Sequence, residues 1–303
     1  GAAGGFDDVE TADASWSGAA LEFPRIQGAD VCGTIVGVGQ NVSRQRIGDR
    51  VIVRSMQPDE PGPQGLSCQT FGSEFDGGFA EFALAKSEMA LSVKSDMSDA
   101  ELASFPCAYS TAENMLERIG LRPDDRVLVT GASGGVGSAA VQLARRRGCT
   151  ITAIASRSKQ AFVRDLGADQ VIDRDCVLLD EVDSMSIDVV VDLVAGKQWP
   201  QLLEILKRGG RYVTAGAIAG PICEIDIRTL YLSDLTLAGS TYQPPQIFEN
   251  LVRYIEDGEI RPVVSKLYPF SAIAEAQTDF IEKKYPGKLV LVPDAKFNAA
   301  CTT

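Results

Sequence analysis

The 303-residue sequence contains no histidine. The commonest metal ligand and the commonest proton shuttle at neutral pH are both absent, so any metal or acid–base chemistry must rest on other side chains. No stretch approaches the run of about 18 apolar residues that a membrane-spanning helix needs, and the N-terminus lacks the basic-then-apolar pattern of a secretory signal. No membrane partner is expected, and the cytoplasm is the expected compartment. Positive charge is in short supply: 29 Lys and Arg stand against 41 Asp and Glu, a net charge of −12. Such a chain repels polyphosphate, which argues against nucleic acid as a partner and requires any anionic ligand to be caught by a local basic cluster. The seven cysteines, at positions 32, 68, 107, 149, 176, 223 and 301, include no Cys-x-x-Cys pair and keep no regular spacing. Reduced and mostly buried thiols are expected rather than a disulfide framework. There is no initiator methionine either; residues 1–20 are small and acidic and read as a loop, with further chain expected before Gly1.

The length exceeds what one hydrophobic core usually fills, so two domains are expected. Between Asp30 and Lys86, short apolar strands are punctuated by glycine in "DVCGTIVGVGQNV", "IGDRVIVRS" and "GGFAEFALAK", the pattern of an irregular β domain. The segment "QPDEPGPQG" between them reads as a surface loop. Then Ala108, Ala112, Met115 and Ile119 fall at helical spacing, and strand-like and helix-like segments alternate through "RVLVT", "TITAIA", "QVID", "IDVVVDLV", "RYVTAGA" and "LTLAGS". Continuous β-branched runs point to strands buried on both faces of a doubly wound parallel sheet. The expected division is residues 108–242 for this α/β domain, inserted between residues 1–107 and 243–303 of the β domain.

The stretch "RVLVTGASGGVGSAAVQLARRRG" at 126–148 carries the first chemical signal. A strand leads in, Gly131, Ser133, Gly134, Gly135 and Gly137 form a turn, and Val136, Ala140, Leu143 and Ala144 then repeat at helical spacing. Such a turn lets backbone approach a pyrophosphate at the positive end of the helix. The alternative is a tightly packed strand-to-helix corner that binds nothing. Arg145, Arg146 and Arg147 fall in the last turn, where the helix dipole favours cations, and read as a solvated helix end. About 20 residues past the glycines, where NAD-binding sheets place a ribose-binding carboxylate, this chain has Ser156, Arg157, Ser158 and Lys159. A basic, hydroxyl-rich turn favours the 2′-phosphate of NADPH; alternatively, Arg157 and Lys159 merely start the next helix in solvent and NAD is bound loosely.

From "PRIQGADVCGTIVGVGQNV" through "IGDRV", "GGFAEF" and "TGASGGVGSAAVQLA" to "GKLVLVP", the chain resembles the medium-chain dehydrogenase/reductases, most closely their quinone oxidoreductase-like, zinc-independent branch. The resemblance implies a GroES-like catalytic domain built from both chain ends and a Rossmann domain for the cofactor. It implies pyrophosphate at Gly134, Gly135, Val136 and Gly137, and the 2′-phosphate at Ser156, Arg157 and Lys159. It further implies nicotinamide at Thr111, and a cofactor cleft lined by Leu193, Val194, Ala215, Gly216 and Ala217. It also suggests a homodimer joined through the strand "LTLAGS". Zinc-dependent relatives carry Gly-His-Glu where this chain has Gly28, Ala29 and Asp30, and their cysteine-rich lobe is reduced to Cys68. Cys107 matches a zinc-ligand position, but catalytic zinc takes three protein ligands, so Cys107 reads as a packed thiol and no metal is expected.

Without a Lewis-acid metal, the charge that develops on a plain ketone lacks its strongest stabiliser, whereas a quinone or an α,β-unsaturated carbonyl spreads it by conjugation. The expected activity is therefore NADPH-dependent reduction of such a small electrophile. Tyr109, the polar aromatic near Thr111 in sequence, is the candidate proton donor, with a buried aromatic role as its alternative. Two rival readings remain: a zinc-containing alcohol dehydrogenase with ligands from Cys107, Asp30 and the chain expected before Gly1, and an NADPH-binding redox sensor without turnover.

Overall fold

The computed structural model describes residues 2–3, 23–58 and 68–300. The chain divides into two compact units, Gly1–Ser110 with Tyr242–Thr303, and Thr111–Thr241. The first contains strands β1 (Ala2–Ala3), β2 (Val31–Thr34), β3 (Arg50–Val53), β4 (Met56–Pro58), β5 (Cys68–Thr70) and β6 (Ala90–Ser92). Strands β2, β3 and β6 form an antiparallel sheet and β4 pairs antiparallel with β5. The β-branched run Val51-Ile52-Val53 suits the central strand, and Val51 and Val53 bury against Phe71 and Ala90. Helix α1 (Asp99–Leu102) starts with a capping box in which Ser98 and Glu101 satisfy each other's backbone N–H groups. Helix α2 (Pro106–Arg118) follows, and the border between the units falls inside it.

The second unit runs β7 (Arg126–Val129), α3 (Gly135–Arg146), β8 (Thr150–Ala155), α4 (Gln160–Asp165), β9 (Gln170–Asp173), α5 (Leu178–Glu181), β10 (Ile187–Asp192), α6 (Trp199–Glu204), β11 (Leu206–Thr214), α7 (Ile227–Leu232) and β12 (Thr236–Gly239). Its six strands lie in the order β12-β11-β10-β7-β8-β9, every neighbouring pair parallel. The order reverses between β7 and β10, which is the switch point where doubly wound sheets bind ligands beyond their carboxyl ends. Leu128, Ile154, Ile172, Val190, Leu203 and Tyr212 meet in one core, each buried aliphatic side chain contributing about 1.5–3 kcal/mol. The fold is α/β, a Rossmann-type parallel sheet joined to a GroES-like β unit.

The chain then returns to the first unit through α8 (Pro245–Glu256), β13 (Val264–Pro269), α9 (Ile273–Ile281), β14 (Lys288–Val292) and α10 (Asp294–Ala300). Strand β14, the "GKLVLVP" segment, pairs parallel with β13 and antiparallel with β1. No described helix is long and apolar enough to cross a membrane.

Several expectations change. The stretch Gly77–Lys86 is not a strand. The N–H groups of Gly77, Gly78 and Phe79 donate to the carbonyls of Ile26, Gly28 and Gln27, and beyond them Phe82 and Leu84 are exposed, with no ladder partner among the described residues. Of residues 1–20, expected as a loop, Ala2–Ala3 form β1 and the others lie outside the described residues. Of the expected loop 57–65, Gln57 and Pro58 belong to β4 and the remainder is likewise outside them. Cys301 is outside them too. Of the six described cysteines only Cys107 and Cys149 are buried; the other four are half-buried.

Candidate functional site

Strand β7 must reverse into α3 within a few residues, and glycine makes this possible. Gly131 adopts φ +58°, the left-handed region where a Cβ is costly. At position 137 a Cβ would lie 2.2 Å from the Gly131 carbonyl oxygen and 2.7 Å from Ala132 Cα, so the helix can rest on the turn only with glycine there. The Ala132 N–H donates to the Ile154 carbonyl at 3.1 Å, which pins the turn to β8. Gly134 caps α3 with extended backbone, and no side chain caps the helix. The first N–H groups of a helix lack intrahelical acceptors and sit at the positive end of its dipole. Gly134 is exposed and Ser133, Gly135 and Val136 are half-buried, so an anion can reach this end. The turn therefore fits the pyrophosphate of a dinucleotide.

Arg147 departs from the expected solvated helix end. Its guanidinium donates to Glu113 and Glu117, both at 2.8 Å, and Glu113 is buried. The arginine thus clamps α3 to α2. Arg145 pairs with Asp169 at 3.3 Å.

Asp192, at the carboxyl end of β10, organises the neighbouring loop. It is fully buried and accepts from the Thr130 hydroxyl at 2.5 Å, the Tyr212 hydroxyl at 2.6 Å and the Val194 N–H at 2.9 Å. Both its oxygens also accept from the Ala195 N–H, at 3.2 and 3.1 Å. Ala195 is held at φ 54°, ψ −138°, a backbone region costly for a residue with a Cβ. The Leu193 N–H donates to Thr130 Oγ1 at 2.9 Å. Leu193 and Val194 are thereby fixed beside the glycine turn, where Val194 Cγ2 would lie 3.2 Å from a Cβ on Gly131. The Val194 carbonyl accepts from the Ala219 N–H at 2.9 Å, and Thr214 Oγ1 donates to the Gly216 carbonyl at 3.1 Å. The segments 131–137, 193–195 and 214–219 therefore adjoin at the carboxyl ends of β7, β10 and β11. Sequence reasoning missed Thr130, Asp192 and Tyr212 as the scaffold. The available signal was a hydroxyl just beyond β7, a carboxylate at the end of β10 and a phenol inside β11 near its end.

Ser156 caps the short turn Arg157–Lys159 after β8. Arg157 is 90% exposed and, among the described residues, engages through Nε, 3.1 Å from Asp173 Oδ2. Its terminal nitrogens are left to solvent. Thr111 is half-buried on α2. Tyr109 is 1% exposed, its ring packs on Phe105 at 4.6 Å between centroids, and its hydroxyl donates to the Arg261 carbonyl at 3.1 Å. A proton-donor role would require that hydroxyl to leave its bond.

In the first unit Asp30 is fully buried and pairs with Lys288 at 2.9 Å. It also accepts from the Cys107 N–H at 2.5 Å and lies 3.4 Å from Ser55 Oγ. The Asp30 carboxylate and the Cys107 backbone are thus joined to a lysine on β14. No cluster of three or more His, Cys, Asp or Glu side chains that could hold a metal occurs among the described residues.

Residues 4–95 match the alcohol dehydrogenase GroES-like domain and residues 135–257 the zinc-binding dehydrogenase family. The acryloyl-coenzyme A reductase of Metallosphaera sedula is 30% identical over 281 residues, which cover 89% of this chain and 84% of that protein. The quinone oxidoreductase of Mus musculus is 30% identical over 286 residues, covering 89% of this chain and 80% of that protein. A solved candidate alcohol dehydrogenase of Sinorhizobium meliloti is 48% identical with a TM-score of 0.86, covering 90% of this chain and 77% of that one. With the glycine turn, these similarities support a nicotinamide cofactor. The chain is an oxidoreductase and belongs to the medium-chain dehydrogenase/reductase superfamily, among its quinone oxidoreductase-like members.

Proposed function

We propose that this enzyme uses NADPH to reduce a small conjugated electrophile, a quinone or an α,β-unsaturated carbonyl, without zinc. The observation that carries the cofactor reading is the meeting of the uncapped α3 N-terminus with a basic turn at the end of the adjacent strand β8. When bound, NADPH supplies the hydride. Gly134, Gly135, Val136 and Gly137 bind its pyrophosphate through backbone N–H groups. Ser156, Arg157 and Lys159 hold the 2′-phosphate. Leu193, Val194, Ala215, Gly216 and Ala217 shape the cleft, and Thr111 contacts the nicotinamide. The scaffold around Asp192 keeps Leu193 and Val194 in place before any ligand arrives.

The zinc-free reading draws on two features: Asp30 is committed to Lys288, and Ala29 stands where zinc-dependent relatives have histidine. A conjugated electrophile needs less help than a plain ketone because it delocalises the incoming charge. The names of the acryloyl-coenzyme A and quinone reductases among the relatives point the same way. A second copy of the chain is a fitting partner for edge strand β12, which follows in sequence a segment where Ile222, Ile227, Tyr231 and Leu232 are exposed. The test is single-turnover oxidation of NADPH across a panel of quinones and enones, with elemental analysis of the dialysed protein. Rapid turnover with well under one zinc per chain is expected. Stoichiometric zinc, or no turnover with any member of the panel, contradicts the proposal.

A further inference from the structure

A carboxylate beside a phosphate site repels the ligand, yet Asp173 stands next to Arg157. The two residues differ in how firmly they are held. Asp173 is the last residue of β9 and lies opposite Ala155 at the end of β8. The N–H that follows it, from Arg174, donates to the Ala155 carbonyl at 3.1 Å and closes the two strand ends together. The Asp173 side chain is fixed as well: Oδ1 accepts from the Asp175 N–H at 3.2 Å, and only 22% of it is exposed. Its other oxygen, Oδ2, accepts from Arg157 Nε. A fixed carboxylate thus holds the side edge of an exposed guanidinium. The terminal nitrogens remain available, and their parallel N–H groups match two oxygens of one phosphate. Exposed ion pairs add little to stability, so the contact matters more for where it places Arg157 than for the fold.

We propose that Asp173 is a positioning residue that orients Arg157 toward the 2′-phosphate and so contributes to the choice of NADPH over NADH. The inference rests on the reading of the Ser156–Lys159 turn as the 2′-phosphate site. Two effects of the carboxylate oppose each other. It repels the phosphate, but at the surface water and salt screen that repulsion. It also restrains an arginine that would otherwise lose its rotamer freedom only when the ligand arrives. The second effect outweighs the first in this account, which fixes the sign of the test.

The wild type, Asp173→Asn, Arg157→Ala, Arg157→Lys and the Asp173→Asn/Arg157→Ala double variant are titrated with NADPH and with NADH at physiological ionic strength. Asparagine keeps the shape of the side chain and an oxygen for the Asp175 N–H, but it then turns its NH2 group, a donor, toward Arg157 Nε. Asp173→Asn should weaken NADPH binding roughly three- to tenfold, part of the entropy of ordering a released arginine, with little change for NADH. In the Arg157→Ala background the same substitution should cost nothing further, because no guanidinium remains to be placed. Arg157→Lys should fall between the wild type and Arg157→Ala, since its single nitrogen must serve carboxylate and phosphate together. Unchanged or tighter NADPH binding by Asp173→Asn would overturn the proposal, and so would wild-type affinity in Arg157→Lys. A loss shared equally by NADH, or one that persists without Arg157, would also overturn it by making Asp173 a support for the loop alone. If Arg157→Ala weakens NADPH binding but Asp173→Asn does not, the 2′-phosphate reading stands and the positioning role falls. If Arg157→Ala leaves NADPH binding untouched, both fall.

Discussion

Asp192 in the parallel-sheet unit and Asp30 in the other are both fully buried, yet they are satisfied by different means. Among the described residues Asp192 accepts from neutral donors, two hydroxyls and two backbone N–H groups. Those donors belong to the loop beside the glycine turn and to the strands flanking it, so satisfying the carboxylate also sets the backbone beside that turn. Asp30 takes the ammonium of Lys288 from 258 positions along the chain, and so ties a late strand to an early one. Neutral donors position a site; the ion pair fastens a fold. Each arrangement fails differently when one partner is removed.

The largest effect is expected at the ion pair. Lys288→Met leaves the buried Asp30 carboxylate without the lysine's charge and should cost about 3–5 kcal/mol in urea unfolding, and adding Asp30→Asn should recover most of it. A single substitution costing under about 1 kcal/mol, the range of an exposed pair, would show that the pair does not fasten the unit. Next comes Asp192→Asn. Its amide nitrogen cannot accept from the facing hydroxyls and N–H groups, so about 1–3 kcal/mol should be lost, and nucleotide binding should weaken as Leu193 to Ala195 relax. Unchanged nucleotide affinity would separate Asp192 from the site.

Much of the second unit was legible in the sequence because its signals are local. The β-branched runs of β7 and β10 and the glycines of 131–137 each announce a backbone state without reference to distant residues. The Asp192 scaffold was not legible, because Thr130, Asp192 and Tyr212 belong to separate strands and meet only once the sheet order is known. The same holds for Asp30 and Lys288. Gly77–Lys86 misled for the converse reason: its composition suits a strand, but a strand also needs a partner, and here the first N–H groups are spent on the Ile26–Gly28 loop.

A smaller effect concerns pH. Burial, with Asp192 beside it, raises the Tyr212 phenol above its ordinary value. For a group whose folded pKa is raised, the stability contribution is complete below the unfolded value and is lost as pH rises from there toward the folded one. Unfolding free energy should therefore fall as pH climbs above about 10, and Tyr212→Phe should flatten that slope. An identical slope in the variant would mean that the phenol is not held neutral by the fold.

The most direct measurement is titration of the wild-type and Arg157→Ala proteins with NADPH and with NADH, followed by nicotinamide fluorescence. Arg157 presents its terminal nitrogens to solvent while Asp173 holds only Nε, and one charge-assisted hydrogen bond to a phosphate is worth about 1.5–3 kcal/mol. The wild type should bind NADPH more tightly than NADH, and the variant should lose roughly 10- to 100-fold for NADPH with little change for NADH. Tighter binding of NADH by the wild type, or equal losses for both cofactors in the variant, would contradict the assignment of the 2′-phosphate to the Ser156–Lys159 turn.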